Sequence, residues 1–129
     1  MPFVLGCPVI QLTPHMRILV AVQPIDFRAG IDGLAAICTQ RLLADPFSGA
    51  LFVFGNRART AIKILVYDGN GYWMCHKRLS RGHFALWSHG EGPARSLQAC
   101  ELQVLLMGGD PSKAAPAPAW RRLSLAAQS

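Results

Sequence analysis

A chain of 129 residues has the length of one domain and can bury one core. A hydrophobic share of 51% against 16% charged residues excludes a disordered chain. The net charge of +6, with a pI near 9.7, suits an anionic partner such as nucleic acid or an acidic membrane surface.

The first stretch, "MPFVLGCPVIQL", is apolar but lacks a basic flank and contains Pro2 and Pro8. It is too short to span a bilayer and poor as a signal peptide, and no other stretch reaches membrane length. Residues 1–15 are expected to form a partly ordered leader, with a short edge strand at its end. The expectation is a cytoplasmic protein with no membrane partner.

A single domain is expected over residues 16–110. Met16 to Val22, "MRILVAV", is a β-branched apolar run and reads as a strand that Pro24 stops. "DFRAGIDG" then turns into a helix whose apolar stripe is Ile31, Leu34, Ala35, Cys38 and Leu42. Asp32, or Asp26 for an earlier start, is placed to accept from the free amides of its first turn. "DPFSG", Asp45 to Gly49, has the residue order of a type I turn with one extra residue. It ends the helix and starts the strand "ALFVF", Ala50 to Phe54.

"GNRAR" is a loop, "TAIKILVY" a strand, "DGNG" a tight turn and "YWMCHKRL" the returning strand. With Gly69-Asn70 as the turn, one face pairs Tyr67 with Tyr72, Leu65 with Met74, Lys63 with His76 and Ala61 with Arg78. The other pairs Val66 with Trp73, Ile64 with Cys75 and Ile62 with Lys77; it is the more apolar and reads as the core face. Following the chain back and forth brings the "NRAR" loop and the "HKRL" end to one pole. Arg57, Arg59, Lys63, His76, Lys77, Arg78, Arg81 and His83 therefore gather there as candidate nucleic-acid-binding residues. Asp68 lies at the opposite tip. Tyr67 and Tyr72 share a sheet face with Lys63, His76 and Arg78 and offer stacking platforms. The ordinary alternative is a solvated basic edge that discourages sheet-to-sheet aggregation.

"SRGHFALWSHGEGPAR" reads as a Gly-rich connector with buried Phe84 and Trp87. The second helix lies within "SLQACELQVLLMGG": Ser96 is its expected cap, Leu102, Leu105 and Leu106 its apolar face, and Gly108-Gly109 its end. Residues 111–129 form a Pro/Ala-rich tail expected to be flexible, with Trp120-Arg121-Arg122 as a possible docking peptide. The expected fold is α+β: an antiparallel sheet of about four strands, in the order β-α-β-β-β-α, with helices packed on one face.

Cys7, Cys38, Cys75 and Cys100 match no zinc spacing, and the four histidines add none; neither a metal nor a cofactor is expected. The cysteines read as buried reduced thiols. Asp26, Asp32, Asp45 and Asp68 occupy turn or cap positions and Glu101 a helix surface, so no pair of carboxylates converges for two-metal chemistry. Ser48 sits in a turn without a nucleophile elbow. Cys75 and His76 are neighbours on a strand and point to opposite faces. An enzyme is not expected.

"DFRAGIDGLA", "DPFSGALFVF", "IKILVYDGNGYWMCHKRLSRGHF" and "LQVLLMGGDPSKA" together resemble the second-frame accessory protein of insertion-sequence-66-type bacterial transposons, the TnpB or Orf2-like family, distinct from the RNA-guided nucleases of the same label. The resemblance runs from about Ile10 to Arg122. Asp26, Arg28, Gly30, Gly33, Leu34, Asp45, Pro46, Phe47, Ser48, Gly49, Lys63, Gly71, Lys77, Arg78, Leu79, Gly82 and Phe84 fall on its pattern. It departs in two places: Gly55 and Ala58 thin the basic loop, and "HFALWSH" shifts the Trp by one residue and loses the Pro that often follows it. The resemblance implies a non-catalytic transposition accessory, encoded beside a transposase and working with that transposase or with DNA. An adaptor that docks the transposase without touching DNA is the alternative, with Leu51, Val53, Leu65 and Met74 as its apolar outer face unless a helix covers them.

Overall fold

The computed structural model describes residues 3–4, 11–12, 16–84 and 92–109. Two short strands, β1 (Phe3–Val4) and β2 (Gln11–Leu12), pair antiparallel. The remaining elements are β3 (Ile18–Ala21), α1 (Ile31–Gln40), β4 (Leu51–Gly55), β5 (Ala61–Tyr67), β6 (Tyr72–Arg78), β7 (Ala94–Leu97) and α2 (Ala99–Leu106). They form one five-stranded sheet in the order β6-β5-β4-β3-β7.

The sheet is mixed and not antiparallel throughout. β3 and β4 run parallel, Leu19 opposite Phe52, because α1 carries the chain back between them as a crossover. β4, β5 and β6 form an antiparallel meander, and β7 closes the other edge antiparallel to β3. The β5–β6 register is the one expected, from Tyr67 opposite Tyr72 to Ala61 opposite Arg78. Gly69 sets it: with φ +96° it takes the first central position of the two-residue turn, which a side chain disfavours, while the Asp68 N–H donates to Gly71 O at 3.0 Å.

Helices cover both faces, not one. The cause is β4, whose Leu51, Phe52, Val53 and Phe54 are all fully buried; such a run has no solvent face. Leu51 and Val53 pack with Ile62, Ile64, Val66 and the α2 residues Leu102, Leu105 and Leu106. Phe52, Phe54 and Leu65 pack with Leu34 and Cys38 of α1, with Met74 at the margin. The four residues expected to share an outer face thus divide between two covered ones. Phe52 pairs with Leu65, which puts Leu51 and Val53 on the side opposite Leu65.

Ser96 does not cap α2. It lies in β7 opposite Leu19, and the helix opens instead on a reciprocal box in which the Glu101 carboxylate accepts the Gln98 N–H at 2.8 Å. Gly109 ends α2 with its N–H on Val104 O at 2.8 Å; a Cβ there would lie 2.8 Å from Val104 Cγ1. α1 starts at Gly30 without a side-chain cap, so neither Asp26 nor Asp32 fills that place. The "DPFSG" turn forms as expected, with Ser48 N–H on Asp45 O and Phe47 N–H on the Asp45 carboxylate. Phe84 is buried, whereas Trp87 and the tail of residues 111–129 lie outside the described residues. Among the described residues no helix is long and apolar enough to cross a membrane.

The cysteines differ from one another. Cys38 is a free, fully buried thiol, and burial pushes it up to about 12. Cys100 is free and half-buried. Cys75 is disulfide-bonded to a partner outside the described residues, which overturns the expectation of four reduced thiols.

Candidate nucleic-acid interface

Gly55 ends β4, and the chain reverses through Asn56 to Thr60 before β5. The Asn56 side chain builds this loop. Its Oδ1 accepts the N–H groups of Thr60 (2.9 Å) and Ala61 (3.2 Å), and its Nδ2 donates to Thr60 Oγ1 at 3.0 Å. Arg59 is held at φ +60°, a conformation uncommon for a residue with a side chain. Arg57, Ala58 and Arg59 are exposed as a result.

The end of β6 is tied to this loop. The Leu79 N–H donates to Thr60 O at 2.9 Å, and the Phe84 N–H to Arg59 O at 2.7 Å. The buried Phe84 ring anchors the connector that carries Arg81 and His83. Arg57, Arg59, Arg78, Arg81 and His83 are all exposed and lie on or beside these two tied segments.

Three of the expected site residues stand apart. Lys63 is only 6% exposed; its ammonium donates to Phe27 O (2.8 Å) and Ala29 O (2.9 Å) and lies 5.1 Å from the Phe27 ring centre. Its charge is turned into the fold. Lys77 points to the α2 face, where its ammonium donates to Leu106 O at 2.6 Å and complements the helix's C-terminal end. His76 is exposed on the α1 face, edge-on to Phe27 at 5.6 Å.

The neighbouring β3–α1 connection reaches the same pole, since the Ile25 N–H donates to Gly55 O at 3.0 Å. It brings Asp26 and Arg28, which pair with each other at 2.7 Å. The Arg28 guanidinium, with the Arg28 amide, holds the Asp26 carboxyl down to about 2. Asp32 follows in the first turn of α1, so the pole is not free of carboxylates; the ribbon of β5 and β6 alone is. Asp68 stands at the far tip, where it accepts the amides of Asn70 and Gly71 and the Trp73 Nε1–H. These bonds hold its carboxyl below the usual range.

The tyrosines do not present free stacking faces. Tyr67, Tyr72 and the exposed Phe47 form a cluster with ring centres 4.9 to 5.6 Å apart, at the end opposite the basic pole. Burial raises the Tyr72 phenol, whose oxygen has no hydrogen-bond partner. Phe47 itself, 59% exposed, signals its role only by lying between Pro46 and Ser48 in a turn, where an aromatic has no backbone reason to be. Among the described residues, no three of His, Cys, Asp and Glu come together in a group fit for a metal ion.

The family model of the IS66 Orf2-like proteins matches residues 16–116. The chain belongs to the IS66 Orf2-like family. It is similar to the uncharacterized protein y4jC of Sinorhizobium fredii, 37% identical over 95 residues that cover 74% of this chain and 80% of that one. It is similar also to the uncharacterized protein y4hO of the same organism, 35% identical over 74% of this chain and 83% of its relative. No solved structure matches the chain. The match places this IS66 Orf2-like chain among insertion-sequence accessory proteins and spans both the tied basic loop and the sheet beneath it.

Proposed function

We propose that this chain is a non-catalytic accessory of insertion-sequence transposition that binds DNA through its basic pole. The observation that carries this reading is the joining of two exposed basic segments, Arg57 with Arg59 and Arg78 with Arg81, by backbone hydrogen bonds. Four permanently charged guanidiniums on a fixed framework suit phosphate oxygens, which they grip in bidentate fashion. His83 adds a donor to the same surface, and His76 flanks it. Lys63 and Lys77 act as structural cations in this reading. The family context supports taking the transposase of the same element, and the DNA it handles, as the partners in this reading.

The test is a fluorescence titration of labelled duplex DNA with the protein and with the Arg57→Ala/Arg59→Ala variant. Binding should weaken, and the log–log salt slope should become shallower by about 2, because two phosphate contacts are lost. A variant with unchanged affinity and slope contradicts the proposal.

A second reading, an adaptor that docks the transposase, is favoured by Leu43 and Phe47, which are 82% and 59% exposed. If the double arginine variant binds DNA normally while Phe47→Ser abolishes capture of the transposase, the adaptor reading holds instead.

A further inference from the structure

The β3–α1 connection is fastened to the sheet at two points. The Ile25 N–H donates to Gly55 O at 3.0 Å, and the Lys63 ammonium donates to Phe27 O and Ala29 O. A buried ammonium is costly unless it is well hydrogen-bonded, so Lys63 is committed to holding this segment in one place. Phe27 turns inward, against Lys63 and His76. The next side chain, that of Arg28, stands outward and is 92% exposed, beside the loop that carries Arg57 and Arg59.

A side chain so exposed ordinarily rotates freely, but that of Arg28 is fixed. Its Nε donates to both Asp26 oxygens, at 3.2 and 3.1 Å, and its Nη2 donates to Oδ2 at 2.7 Å. Asp26 is held in turn, since Oδ1 accepts the Arg28 amide at 2.9 Å and Asp26 O accepts the Ala29 amide at 3.1 Å. Those two backbone bonds close the turn without the guanidinium. An exposed ion pair adds little stability, so holding the turn does not account for it. What the pair fixes is direction. With Nε and one side of Nη2 occupied, the guanidinium presents its far edge, formed by Nη1 and the other side of Nη2. Among the described residues nothing accepts from that edge.

Such an edge fits two acceptors lying side by side. A phosphate offers them, but its charge is repelled by the Asp26 carboxylate, which Arg28 keeps ionised at neutral pH. Guanine offers them without charge, as N7 and O6 in the major groove. Adenine sets a donor where O6 would lie, cytosine presents a donor, and thymine has a single acceptor. We infer that Arg28 reads guanine in the major groove of duplex DNA, with Asp26 as its positioning residue, while the other guanidiniums of the pole hold the phosphate backbone. The inference rests on the DNA-binding reading and adds a base preference to it.

The test is a fluorescence titration of the full chain with a short duplex of mixed sequence and with the same duplex carrying 7-deazaguanine, which lacks N7. The unaltered chain should bind the guanine duplex at least about fivefold more tightly. Arg28→Ala and Arg28→Lys should bind the two duplexes alike; the lysine keeps the charge but lacks the fork. Asp26→Asn retains an oxygen for the turn amide but releases the guanidinium. Its preference for guanine should shrink, while its log–log salt slope on the 7-deazaguanine duplex steepens by about 0.9, because Arg28 becomes one more phosphate contact. Equal affinity of the unaltered chain for both duplexes overturns the inference and leaves the DNA-binding proposal standing; no binding to either removes both. A preference that survives Arg28→Ala gives the reading to another residue and overturns it. So does an Arg28→Ala variant that weakens on both duplexes in equal proportion, which makes Arg28 a phosphate contact. An Asp26→Asn variant with preference and slope unchanged refutes the positioning role.

Discussion

The ammonium of Lys63 fastens the β3–α1 connection to the middle of the sheet. Two carbonyls, those of Phe27 and Ala29, depend on it. Lys63→Met keeps the length of the side chain but removes both bonds and leaves those carbonyls short of a donor. The expected loss is about 2–3 kcal/mol in a urea unfolding curve, with the salt slope of DNA binding unchanged because this charge does not reach the interface. Cys38 gives a pH signature of opposite origin. Its thiol is raised from 9.0 to about 12 by burial. The folded state holds the proton more tightly than the unfolded chain, so the contribution is complete below about pH 9 and is lost as pH rises toward 12. Unfolding curves from pH 8 to 11 should show stability falling more steeply in the protein than in Cys38→Ala. Equal slopes would mean that Cys38 ionises freely in the fold. The sequence places Lys63 correctly on the strand and opposite His76. What it does not show is the connection folding over it, since Phe27 and Ala29 lie more than thirty residues away.

At the scale of elements, the Asn56–Thr60 loop is the piece on which the interface rests. Asn56→Ala removes three hydrogen bonds and frees Arg59 from its left-handed conformation. Stability should fall by about 1–2 kcal/mol in thermal or urea unfolding. DNA affinity should fall by less than in the double arginine variant, at an unchanged salt slope, since all charges remain but their arrangement is looser. This loop, the "DGNG" turn and the β5–β6 register were legible because short-range chemistry determines them: Asn, Asp and Gly at fixed spacing, and period-two alternation. β7 was not legible. Its four residues, "ARSL", carry no alternation of their own, and their strand conformation comes from pairing with β3. The cap of α2 was misplaced for the same reason, because Ser96 was already committed to that pairing.

For the whole molecule, the two-sided burial of β4 decides the architecture. Leu51 to Phe54 form an unbroken apolar run, and a strand-helix-strand unit normally returns parallel. Both signals were present in the sequence and argue for helices on two faces and a parallel central pair. The division of the basic residues was beyond it, because Lys63 and Lys77 are claimed by carbonyls from distant segments, one from the β3–α1 connection and one from the end of α2. What remains at the pole is Arg57, Arg59, Arg78 and Arg81, with His83 beside them. The most direct measurement of this account is the dependence of DNA affinity on salt, taken on duplex DNA. Four contacting guanidiniums predict a log–log slope of about −3.6. A slope near zero, or no association at low salt, would contradict it.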